Sequence, residues 1–123
     1  MIKFYQCDIF PFNVAIGDTP DEFMEKFTTL EGGTLAPFDE DVSRRGLAFT
    51  ANHNGYRWDC ILLGSEATVG TWAHESFHIA QAMLEFVGVL FHRGESNETY
   101  AYVIGWLVEL IYQFINERDN EKE

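Results

Sequence analysis

Two of the four histidines in this 123-residue chain stand four positions apart, with a glutamate directly after the first: His74-Glu75-Ser76-Phe77-His78. Residues four apart on a helix lie one turn above each other on the same face. Two imidazoles so placed can each aim a ring nitrogen at one zinc ion, which takes nitrogen ligands at ~2.0–2.1 Å. Glu75 is rotated away from direct ligation, yet its carboxylate can reach a water on the metal as a general base. Zinc hydrolysis thus accounts for all three residue types and for their order. The plainer alternative is a surface helix that carries two imidazoles. His74, His78, Gln81 and Glu85 form a polar stripe, while Ile79, Met83, Phe86 and Leu90 face elsewhere. A helix of that kind lies on a core with one side open to a cleft.

Catalytic zinc takes three protein ligands and a water. Glu98, in "SNETYAY", opens the last helix and is the candidate third ligand; an acid there also complements the helix dipole. Distance then sets a condition. A helix running unbroken from His78 to His92 would end ~21 Å away, too far for a simple helical hairpin to return Glu98 to the histidines. The helix must therefore stop near Gly88. The stretch "GVLFHRGES" spans up to ~30 Å when extended, enough to double back before Ser96 or Asn97 caps the next helix.

The other elements must frame this pair. "IKFYQCDIFPFNVAIGD" is rich in β-branched and aromatic residues and reads as one or two strands. A helix follows, with Pro20 in its first turn, Phe23, Phe27 and Leu30 as its apolar stripe, and Gly32-Gly33 as its stop. "TLAPFDEDVSRR" reads as a loop. "GLAFTAN" and "YRWDCILLG" flank Asn54-Gly55, a strong hairpin signal. Tyr56, Trp58, Cys60 and Leu62 would share one face of the second strand, and Arg57, Asp59 and Ile61 the other. The motif helix, capped at Ser65 or Thr68, and the last helix complete the chain, with 116–123 as a fraying acidic tail. The whole is one α+β domain, 1–123, with a small antiparallel sheet on one side of the helices.

Composition narrows the function. Hydrophobic residues at 46% indicate a globular fold. The net charge of −12 argues against nucleic acid and anionic membrane as partners. No run reaches the ~18–20 apolar residues of a membrane span, and no secretory signal is visible, so a cytoplasmic location is expected. Cys7 and Cys60 lack a CxxC pattern and read as free, packed thiols.

HESFH at 74–78, followed by Asn97-Glu98-Thr99-Tyr100-Ala101, resembles the gluzincin zinc metallopeptidases, and the order of elements is similar to the minigluzincins. Short bacteriophage proteins carry a similar pair of motifs. The resemblance covers roughly residues 45–115. It implies a minimal zincin-like fold in which an active-site helix and a glutamate helix pack on the sheet. It further implies Zn2+ on His74, His78 and Glu98, Glu75 as general acid and base, and a peptide or protein substrate. The last strand before the motif helix, Tyr56–Leu63, would run along the cleft and pair with that substrate. One branch of the clan has an acid four residues after the glutamate ligand; this chain has Tyr102, whose phenol could orient a ligand histidine instead. Tyr100, Tyr102, His53 and His92 are candidates for stabilising the oxyanion. The chain has no room for the subdomain that forms the far wall of the cleft in larger members. The alternative function is therefore a weak or inactive zincin-fold module that binds a peptide or protein along the cleft.

Overall fold

The computed structural model describes residues 1–7, 12–90 and 96–121. In order these form β1 (Ile2–Gln6), β2 (Asn13–Gly17), α1 (Pro20–Lys26), α2 (Glu40–Arg45), β3 (Gly46–His53), β4 (Tyr56–Leu63), α3 (Val69–Phe86) and α4 (Asn97–Glu121). The fold is α+β. Its sheet is mixed rather than wholly antiparallel, with strand order β1-β2-β4-β3. β1 with β2 and β3 with β4 are antiparallel, while β2 and β4 run parallel, Val14 opposite Asp59 and Gly17 opposite Leu62. The physical reason lies in the two inner strands: Val14, Ala15 and Ile16, like Cys60, Ile61 and Leu62, are buried in an unbroken row. Strands covered on both faces are the ones that accept parallel neighbours.

The β3–β4 hairpin closes where the sequence predicts. Asn54 and Gly55 both have positive φ, 53° and 82°, as a two-residue type I′ turn requires. Side chains alternate across the sheet. Ile61 and Leu63 face α3 and α4, joining Val14, Ile16, Ile79, Met83, Leu107 and Ile111. Trp58, Cys60 and Leu62 face the other way, onto Phe23 and Phe27.

Three local expectations change. α1 ends at Lys26 instead of continuing to Leu30, because Phe27 turns extended and Thr28 bridges Asn52 through two backbone bonds of 2.9 Å. The expected loop at 34–45 contains α2, held by Asp39 accepting from Val42 N at 2.8 Å and by the Arg44–Asp41 ion pair. α4 continues through 116–121, where fraying was expected. Arg118 lies 3.5 Å from Asp18, and Lys3 bonds Glu121 at 2.8 Å, so the last turns rest on the sheet. Residues 122 and 123 lie outside the described residues. No helix among those described is long and apolar enough to cross a membrane.

Candidate metal centre

α3 is fixed at both ends by local chemistry. Thr68 and Thr71 exchange side-chain-to-backbone bonds in a reciprocal cap, satisfying amide groups a helix start leaves open. At the other end Gly88 takes φ +85°, Gly88 N donates to Glu85 O and Val89 N to Leu84 O, the Schellman closure. Between these ends, Ser76, Ile79, Ala80 and Met83 are buried. The 3.6-residue period then turns His74 and His78 to the solvent side.

The two rings converge. His74 Nε2 and His78 Nε2 are 3.2 Å apart, with ring planes at 73°. Two nitrogens each ~2.0–2.1 Å from one tetrahedral ion would stand ~3.3 Å apart, so the pair fits two positions of a zinc sphere. His74 is 67% exposed at its side chain, leaving the remaining positions accessible. Glu75, only 10% exposed, places Oε1 3.9 Å from His74 Nε2. The Glu75 carboxylate is thus beside the nitrogens and sheltered. Ser76 Oγ, on the opposite, core-facing side of α3, is buried with no hydrogen-bond partner among the described residues.

Glu98 does not join the pair. Among the described residues no group of three or more His, Cys, Asp or Glu side chains gathers closely enough to hold a metal. The chain leaving α3 explains this. Ser96 Oγ donates to Leu90 O at 2.7 Å and Tyr100 Oη to Val89 O at 3.3 Å. The first turn of α4 is therefore tied beside the end of α3, ~12 Å of helix beyond His78. The doubling back expected of 88–96 is not seen in its described part; residues 91–95, with His92, lie outside the described residues.

The other expected participants are dispersed. Tyr102 is 77% exposed and lines a surface notch with Glu98 rather than supporting a histidine. Tyr100 is buried against the end of α3. His53 sits on the far face of the sheet, stacked on Phe4 with its Nδ1 2.8 Å from Lys26 O. Cys7 and Cys60 are free thiols, and burial pushes the Cys60 thiol up. β4 is not the cleft strand, because β2 and β3 occupy its two sides. The sheet edge beside α3 is β3. Its Asn52 bonds Thr28 outward, and the outward backbone groups of Ala48 and Thr50 have no strand partner among the described residues.

Sequence reasoning passed over Arg57 and Asp59. Asp59 is 2% exposed, and burial pushes its carboxyl up to about 6 against the opposing pull of Arg57. Arg57 Nη2 lies 3.2 Å from Asp59 Oδ1, off the line of a hydrogen bond, which leaves that oxygen without one among the described residues. The Arg57 guanidinium also stacks 4.3 Å over the Phe86 ring, joining β4 to the end of α3. The available signal was a lone charge pair, Arg57 and Asp59, near the start of the otherwise apolar strand "YRWDCILL". Comparison with protein-family models, curated proteins and solved structures gives no significant match to this chain.

Proposed function

We propose that the chain is a zinc-dependent metallopeptidase of gluzincin type, with His74 and His78 holding the ion, Glu98 as third ligand and Glu75 as general acid and base. The observation that carries this reading is the 3.2 Å separation of the two Nε2 atoms. Zinc, when bound, supplies Lewis acidity and brings the pKa of water near neutrality. The chain's own residues supply position. Glu75, packed with little freedom beside His74, takes the proton of the attacking water and returns it to the leaving amine. The open edge of β3, on which α3 packs, offers backbone groups to an extended peptide.

Bringing Glu98 in requires the first turn of α4 to shift from the end of α3. The hydrogen bonds that Ser96 and Tyr100 make there are worth about 1 kcal/mol each, and displacing the buried Tyr100 ring from the core costs roughly 2–3 kcal/mol more. A complete zinc site, at ~10 kcal/mol or more, exceeds that sum. A second reading, a zincin-fold module that binds a peptide or protein without cutting it, is favoured by the position of Glu98, which lines the notch on α4.

Elemental analysis and a peptide-library digest separate these readings. The peptidase reading expects about one zinc per chain, lost in His74→Ala and His78→Ala and bound at least ~10-fold more weakly by Glu98→Gln. Glu75→Gln should keep the metal and lose cleavage. Zinc retained with no peptide cleaved by the wild type would select the binding module. A purified protein without zinc, whose melting is unmoved by added zinc, would overturn both.

A further inference from the structure

The exposed side of α4 has a gap in it. Ala101 and Gly105 form its floor, Tyr102 and Trp106 flank it, and Glu98 and Glu109 stand at its ends, bordering a shallow, solvent-open notch of about 400 Å³ on the surface of this one helix. A methyl group placed on Gly105 would meet no atom within 4 Å among the described residues beyond its chain neighbours and its own helix backbone. Glycine weakens a helix interior relative to alanine, and no packing contact among the described residues requires it here. Its physical use on an open face is to let another backbone approach closely.

We propose that this notch docks a cationic amphipathic helix of a partner protein. An apolar side chain of that helix sits over Gly105 between Tyr102 and Trp106, and its Lys or Arg side chains pair with Glu98 and Glu109. Charge complementarity identifies the occupant. The two carboxylates are eleven residues apart, or ~16 Å along the axis, so the partner presents cations about three helical turns apart. Trp106 adds an aromatic face that favours a cation, and the net charge of −12 draws basic segments in while repelling acidic ones. The same charges argue against a second copy of this chain. Two α4 helices packed antiparallel would set Glu98 of each against Glu109 of the other. This inference goes beyond the metallopeptidase reading and does not depend on it; a Glu98 drawn onto zinc would leave Glu109 to hold the partner's cation. Because Glu98 has a role in that reading, Gly105 and Glu109 carry the test.

The probe is a synthetic 16-residue amphipathic helix with Lys at positions 1 and 12 and Leu between them, titrated into the 15N-labelled full chain. Amide shifts confined to about residues 98–112 are expected, with affinity falling at least about tenfold between 50 and 500 mM salt. Gly105→Trp, which fills the notch and improves helix propensity, should weaken binding by about tenfold or more while leaving the melting temperature no lower. Glu109→Lys should do the same, and a Lys→Glu version of the peptide should not bind. Zinc stoichiometry measured on Gly105→Trp should equal that of the wild type, so that failure of the notch and failure of the metal site are read separately. Shifts elsewhere on the surface, wild-type affinity in both variants, no response at millimolar peptide, or a dimer in sedimentation that Gly105→Trp abolishes would each overturn the proposal.

Discussion

Asp59 carries a carboxyl group into the middle of β4, where water is excluded and Arg57 offers only partial compensation. Its folded pKa of about 6 stands above the ordinary 3.8, so the folded state binds this proton more readily than the unfolded chain does. Stability from this group is highest below about pH 4 and declines as pH rises through about 6. The displacement from 3.8 to about 6 corresponds to roughly 3 kcal/mol at neutral pH. Asp59→Asn is therefore expected to stabilise the protein by about 1–3 kcal/mol at pH 7.5 and to flatten the wild-type dependence between pH 4 and 6. Urea unfolding across that range checks it; a variant no more stable than wild type at pH 7.5 would refute the assignment. Ser76→Ala removes a buried, unbonded hydroxyl and is expected to gain about 1 kcal/mol without changing zinc content. At this scale the sequence revealed the histidine pair, because two rings one turn apart converge through helix geometry alone. It did not reveal the burden on Asp59, which comes from β2, β3 and α3 closing around it.

Elements set by short-range chemistry were legible for the same reason. The Asn54-Gly55 turn, the start of α3 at Thr68 and its end before Gly88 each depend on residues within one or two turns. The end of α1 was not legible, since Thr28 leaves the helix to meet Asn52, a partner distant in sequence. Nor was the placement of Glu98, which depends on how α4 is tied to the end of α3. Two glycines test this reading of the elements. A Cβ on Gly64, just after β4, would lie 2.2 Å from the Arg44 backbone, so Gly64→Ala must displace α2 from the sheet. A loss of more than about 3 kcal/mol is expected in thermal or urea unfolding. Gly70→Ala, in the first turn of α3 with its nearest neighbour an ordinary 3.5 Å away, should instead gain about 0.5–1 kcal/mol. Similar effects for the two substitutions would mean that the α2–β4 contact is not as described.

For the whole molecule, a metal that binds only the folded state raises its stability by mass action, about 2.7 kcal/mol at a hundredfold excess over Kd. Zinc titrated against thermal unfolding should show that rise in the wild type and none in His74→Ala. An equal rise in both would move the binding site elsewhere. The α+β class was readable from the order of elements, whereas the parallel register of β2 on β4 was not, because no local pattern encodes which buried strands become neighbours. That register also has a consequence in time. Val14 meets Asp59, so during synthesis the first hairpin leaves the ribosome before its partner strand has been made. Chaperone occupancy on nascent chains should accordingly be greatest before β4 emerges and fall once it does.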